Sequence, residues 1–131
     1  MSLLPQSTIL GNLEIIEVYV YCDQPCLFAC RNRTGHIFMA VWIEETAVFN
    51  QWLYVALSEQ RFTSIRSGKI DLRDAFLKSE EGFVFEVRIS RDRSSDRIQL
   101  IYCNRLNEDW LPMAGEFLEL AAETNPCKLI A

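Results

Sequence analysis

Cys26-Leu27-Phe28-Ala29-Cys30-Arg31, then Asn32-Arg33-Thr34-Gly35, then His36-Ile37-Phe38-Met39-Ala40-Val41-Trp42-Ile43-Glu44 is the stretch on which the fold turns. Two apolar runs of strand length, rich in aromatic and β-branched side chains, flank a short polar loop. Gly35 supplies the left-handed conformation that a hairpin loop of three to five residues requires. On the N-terminal side, residues 13–22 carry Ile15, Ile16, Val18, Tyr19, Val20 and Tyr21 and read as a further strand. Glu14 and Glu17 alternate with its apolar positions, so at least one face of that strand is expected to be wet. Asp23-Gln24-Pro25 ends it: Pro25 fixes its φ and lacks a donor, and Asp23 accepts backbone hydrogen bonds in a turn. Three antiparallel strands in a meander follow.

Towards the C-terminus, Glu44-Glu45-Thr46 begins a break, and residues 47–51 read as a helical turn or a wide connection. Trp52, Leu53, Tyr54, Val55, Ala56 and Leu57 make a short run that is apolar throughout, expected as a buried fourth strand. The period then changes. Ser58 is a good N-cap, Glu59 suits the first turn, Phe62 and Ile65 lie three apart, and Gly68 is a natural stop. Asp71 caps a second helix with Leu72, Ala75 and Phe76 as its apolar stripe, ending near residues 79–82. Both are too short to be stable alone and must dock on the sheet. Residues 83–90 alternate, Phe83, Phe85, Val87 and Ile89 against Val84, Glu86, Arg88 and Ser90, and residues 97–103 return as their hairpin partner. Trp110-Leu111-Pro112 anchors the tail. Residues 115–120 close the sheet as a seventh strand, or else residues 114–123 form a helix, since Ala, Leu and Glu favour one. The expected fold is α+β: a mostly antiparallel sheet of six or seven strands, built as meander and hairpin, with a two-helix insert on one face.

Composition agrees. The 131 residues are 50% hydrophobic and 24% charged, with five Gly and four Pro, which excludes collagenous and disordered chains. No repeat, linker or composition shift divides residues 1–131, so a single domain is expected. A formal net charge of −5 argues against nucleic acid as a partner. No apolar run approaches the roughly 18 residues needed to span a bilayer, so no membrane partner is expected. The opening Met1-Ser2-Leu3-Leu4-Pro5-Gln6 lacks the marks of a signal peptide, and a cytoplasmic setting is the expectation. Five cysteines, an odd number, do not suit a secreted disulfide framework.

The chemistry-bearing residues are sparse. A nucleophile–base pair would need the single histidine, His36, which stands beside the hairpin turn as a solvated edge residue. The phosphate-loop, dinucleotide, zincin and nucleophile-elbow motifs are missing. Glu44 with Glu45, Glu80 with Glu81, and Glu108 with Asp109 are adjacent loop carboxylates that point different ways. Cys22, Cys26 and Cys30 invite a metal reading, but they lack a close C-x-x-C pair and have one histidine to share, so they read as packing residues. No cofactor, metal or catalytic residue is expected. Two features suggest binding. Arg61, Arg66, Lys69 and Arg73 make the helical insert locally basic, suited to an acidic partner or else to pairing with neighbouring acids. The aromatic residues, Trp52 and Tyr54 among them, exceed what a surface wants, and a sheet face left partly uncovered would favour self-association. Arg61, Arg66, Arg73, Trp52 and Tyr54 are the candidate binding residues.

The stretch Ser58-Glu59-Gln60-Arg61 through Arg66-Ser67-Gly68-Lys69-Ile70-Asp71-Leu72-Arg73-Asp74-Ala75-Phe76 also carries a resemblance. With Asp23-Gln24-Pro25-Cys26-Leu27-Phe28 and Ala40-Val41-Trp42, it resembles a family of small bacterial proteins of unknown function over residues 12–90. The resemblance implies a bacterial cytosolic origin and no activity or catalytic residue. The functional expectation is a non-catalytic protein-interaction module of immunity or adaptor type, binding another protein or itself as a homodimer. The alternative is a small-molecule-binding protein or enzyme with a pocket between the helical insert and the sheet.

Overall fold

A computed structural model describes residues 4–5, 9–92 and 95–118. Strands β1 (Leu13–Tyr21), β2 (Pro25–Asn32), β3 (Ile37–Glu45) and β4 (Phe49–Leu57) precede helices α1 (Glu59–Arg66) and α2 (Leu72–Leu77). Strands β5 (Phe83–Ser90) and β6 (Asp96–Tyr102) follow. The six strands form one antiparallel sheet in the order β1-β2-β3-β4-β5-β6, with the helices inserted between neighbours β4 and β5. This is the α+β meander that the alternation of apolar runs and turn residues predicts. Among the described residues there is no seventh strand: residues 114–118 are neither strand nor helix, and residues 119–123, the rest of the stretch read as strand or helix, lie outside the described residues.

Local chemistry sets the element ends. Gly35 adopts φ +93° in the β2–β3 loop, and Asp23 adopts φ +65° in the β1–β2 turn, where Asp tolerates the left-handed region. The Ser58 hydroxyl accepts from the Arg61 amide at 3.0 Å and the Asp71 carboxylate from the Asp74 amide at 2.7 Å, the N-caps expected from sequence. Between β3 and β4 the structure corrects the expectation of a helical turn or wide connection at 47–51. The Thr46 hydroxyl accepts from the amides of Val48 (3.1 Å) and Phe49 (3.0 Å), which closes a tight turn and starts β4 at Phe49. Polar Asn50 and Gln51 hide this strand from a hydrophobicity reading. Both are buried, and both are satisfied by side chains of neighbouring strands: Trp42 Nε1 donates to Asn50 Oδ1 at 3.1 Å, and Gln51 Nε2 donates to Glu86.

Both faces of the sheet are core. On one, Leu27, Ala29, Ile37, Met39, Leu53, Val55 and Val84 pack under Phe62 and Ile65 of α1 and Leu72, Ala75 and Phe76 of α2. Burying side chains of this size stabilises by about 1.5–3 kcal/mol each, which is what holds two such short helices. The other face carries Phe28, Cys30, Phe38, Ala40, Trp52, Tyr54, Val87 and Ile89. Leu13, Ile15 and Val18 of β1 and Ile98 of β6, from opposite edges of the sheet, pack against this same cluster, as do Leu4 and Leu10. The sheet therefore curls around it. Three register shifts in the β1–β2 pairing, at Ile15/Glu17, Val18/Val20 and Val20/Tyr21, supply the bend, since bulges kink a strand and increase its twist. The β5 face carrying Val84, Glu86 and Ser90, polar by sequence, is buried as well. Glu86 is accommodated there by Gln51 and by Arg88 Nε at 3.0 Å.

Candidate functional site

The five residues singled out from sequence are not brought together. Arg61 Nη2 donates to the carbonyls of Asp74 (3.1 Å) and Lys78 (2.6 Å), so its charge ties α1 to the negative end of α2. Arg66 grips Glu17 of β1 through Nε at 2.8 Å and Nη2 at 2.5 Å. Its guanidinium lies 5.6 Å from the Phe62 ring centre, and the hydrogen bonds it donates to Glu17 raise its pKa further. Tyr19, whose hydroxyl donates to Glu17, has its own pKa raised, first by burial. Arg73 reaches the carbonyls of Glu108 (3.5 Å) and Pro112 (3.2 Å) and the Glu108 carboxylate at 2.6 Å, pinning the C-terminal segment. Each guanidinium is engaged by the fold. Trp52 and Tyr54 are 0% exposed and lie on the face opposite the helices, so they line no pocket between insert and sheet. Phe28 packs edge-on to both rings, with centroids 5.4 and 6.2 Å away.

His36 belongs to a turn lock. Its amide donates to Asn32 Oδ1 at 2.9 Å, and its Nδ1 is 2.9 Å from the Thr34 hydroxyl. Cys30 is buried in the curled face, where desolvation pushes its thiol up to about 12. Cys26 and Cys30 are four residues apart on one strand, roughly 13 Å at the strand rise, too far to share an ion. Among the described residues no group of three or more His, Cys, Asp or Glu is placed to hold a metal.

Two features that sequence reasoning missed stand out. The first is the edge strand β6. Its side chains Ile98, Leu100 and Tyr102 stand opposite Val87, Phe85 and Phe83 in an unbroken register. Leu100 is 42% exposed and Tyr102 59%, beside the half-buried pair Phe83 and Phe85, whose rings meet edge-on at 5.6 Å. A depression of about 440 Å³ shares Phe85 with this surface and has a mixed lining, Ile9, Phe38 and Ala56 beside His36, Ser58, Glu80 and Glu81. The signal was present in sequence as an uncharged stretch, Ile98-Gln99-Leu100-Ile101-Tyr102, but which strand becomes an edge depends on topology. The second is a cleft of about 320 Å³ between the sheet and the segment that follows β6. Val20, Cys26, Leu27, Val41, Trp42 and Ile43 form its sheet side. Leu72 of α2 and the run Asp109-Trp110-Leu111-Pro112, with Glu116, form the other.

Fold and surface together define a curled antiparallel meander with a docked helical pair, one bulged edge and one regular edge. The chain belongs to a family of unknown function (DUF6575), whose model matches residues 1–129. No curated protein and no solved structure matches it. Family membership thus extends the resemblance read over residues 12–90 to almost the whole chain.

Proposed function

We propose that the protein is a non-catalytic interaction module, of immunity or adaptor type, which receives an extended strand of a partner protein on the open side of β6. The observation that carries this reading is the contrast between the two sheet edges. The β1–β2 pairing is interrupted by three register shifts, two of them bulges in β1, and β1 bears Glu14 and Glu17, the devices by which edge strands avoid pairing. β6 pairs with β5 without a shift and carries no charge or proline from Ile98 to Tyr102. A regular edge offers unpaired backbone donors and acceptors, and the exposed Leu100 and Tyr102 supply apolar anchors on one face. The partner is another protein chain or a second copy, which would make a homodimer by continuing the sheet.

The setting we infer is the bacterial cytoplasm. The thiols support it: Cys30 packs in the core and Cys103 Sγ donates to the Phe76 carbonyl at 3.4 Å, roles that need reduced cysteine. No helix among the described residues is long and apolar enough to cross a membrane.

The test compares wild type with the variant Leu100→Lys/Tyr102→Lys by chemical crosslinking in cells, with sedimentation of each purified protein in parallel. A partner, or a dimer, crosslinked through residues 96–102 of wild type and lost in the variant supports the reading. Identical crosslinks and a concentration-independent monomer in both would overturn it.

A further inference from the structure

The β1–β2 turn brings two cysteines together, a feature independent of the β6 edge. The pairing passes from Val20 opposite Leu27 directly to Tyr21 opposite Pro25, so Cys26 has no residue of β1 across from it. It is the extra residue of a bulge in β2, and a bulge re-aims the side chain it inserts. Asp23, in the left-handed region, folds the turn so tightly that the Cys22 amide donates to the Gln24 carbonyl at 2.8 Å. Cys26 Sγ donates to the same carbonyl oxygen at 3.4 Å. The backbone of one cysteine and the sulfur of the other thus meet at a single atom. Burial, and after it hydrogen bonding with the Cys22 side chain, pushes the Cys26 thiol up to about 11, so the two side chains are themselves neighbours. Cys22 is exposed and Cys26 half-buried: one sulfur is open to reagents and the other stands behind it. Cys30, by contrast, is enclosed in the curled face, and Cys103 Sγ is held between the Phe76 carbonyl and the Ser79 hydroxyl.

We propose that Cys22 and Cys26 form a reversible dithiol–disulfide site, oxidised by small disulfides of the glutathione type. The Cys22 thiolate attacks one sulfur of the small disulfide, and the other sulfur leaves as a thiolate. Cys26 then loses its proton to water and attacks the Cys22 sulfur of the mixed disulfide, releasing the second small thiol. Two protein thiols give up two electrons and two protons, and one small disulfide becomes two thiols. Position and ionisation set the order. Cys22 meets the reagent first, because a raised pKa leaves Cys26 little thiolate at neutral pH, and Cys26 acts as the resolving sulfur. The link closes the β1–β2 turn at the bulged edge of the sheet and replaces the Cys26 hydrogen bond to Gln24.

The test incubates the full chain with glutathione disulfide, alkylates the remaining free thiols and digests with chymotrypsin, since trypsin leaves Cys22, Cys26 and Cys30 on one peptide. The peptide spanning residues 22–28 is expected to be lighter by two hydrogen atoms and to carry no alkyl group. Prior treatment with dithiothreitol restores two alkyl groups. Cys26→Ser should stop at the mixed disulfide, with one glutathione on Cys22. Cys22→Ser should react about tenfold more slowly than Cys26→Ser, because the small thiolate fraction of Cys26 is only partly offset by its higher nucleophilicity. Amide exchange at residues 21–27 should slow in the oxidised protein. Glutathione that stays on Cys22 of wild type would overturn the proposal. So would a link from either sulfur to another cysteine or another chain, equal reactivity of the two variants, or no reaction at all.

Discussion

Arg66, the last residue of α1, meets Glu17 in β1 with two guanidinium nitrogens, at 2.8 and 2.5 Å. The pair joins the helical insert to the bulged edge strand, 49 residues away in sequence. Glu17 also receives the Tyr19 hydroxyl, so one carboxylate collects three donors. An arginine that reads from sequence as part of a basic patch thereby becomes a tie between layers.

A double-mutant cycle on this contact, with Arg66→Met and Glu17→Gln, should give a coupling of about 1 kcal/mol in urea denaturation. The magnitude sits near the top of the range for exposed pairs, because the contact is two-pronged although the Arg66 side chain is 40% exposed. A coupling indistinguishable from zero would mean that the arginine is free for other work.

Asp71 makes stability pH-dependent. Its carboxylate accepts the Asp74 amide at 2.7 Å and the Gly115 amide at 3.2 Å, and those backbone donors hold its pKa below the ordinary value. A folded-state pKa below the unfolded one means the stabilisation is present above about pH 4 and is lost as pH falls through the folded pKa. Asp71→Asn keeps a cap acceptor but removes the charge, so it should cost about 0.5 kcal/mol at pH 7 and converge on wild type in strong acid. A pH-independent difference would refute this assignment.

Trp52 tests the curled face. Its ring is fully buried, yet Nε1 has no hydrogen-bond partner among the described residues. Trp52→Phe removes the orphaned donor along with some volume and should cost only about 1 kcal/mol, whereas Trp52→Ala should cost about 3–5 kcal/mol. Were Trp52 a binding residue with a yielding surround, the two substitutions would differ little in stability.

Gly68 has φ +78°, and a Cβ there would lie 2.9 Å from the Leu118 carbonyl oxygen. Gly68→Ala combines a left-handed backbone with a clash against main chain, so a loss of about 2 kcal/mol is expected. Amide exchange at residues 113–118 should accelerate in the same variant; unchanged exchange would show that the segment does not rest on this glycine.

The meander was legible because its signals are local. Gly35, Pro25, Ser58 and Asp71 punctuate the chain, and apolar runs of strand length lie between them. The start of β4 was not, since Asn50 and Gln51 look like loop residues until Trp42 and Glu86 are known to satisfy them. For the arginines, sequence offers pairing with acids beside an acidic partner, but which groups they meet (Glu17, Asp74, Lys78 and Glu108) is set only by folding. Placement of Trp52 and Tyr54 depends on the curl of the sheet, which follows from bulges in β1 that no periodicity reveals. The β6 edge shows in sequence only as the uncharged stretch Ile98–Tyr102, which strand order makes an edge, and the cleft beneath residues 109–116 has no sequence pattern, because distant segments meet there.

Residue-resolved hydrogen exchange on the crosslink-identified complex, or on the dimer if that forms, tests the central claim most directly. The account expects new protection at the amides of residues 96–102, with the helical insert unchanged. Protection confined to α1 and α2, with β6 exchanging as in the free protein, would contradict it.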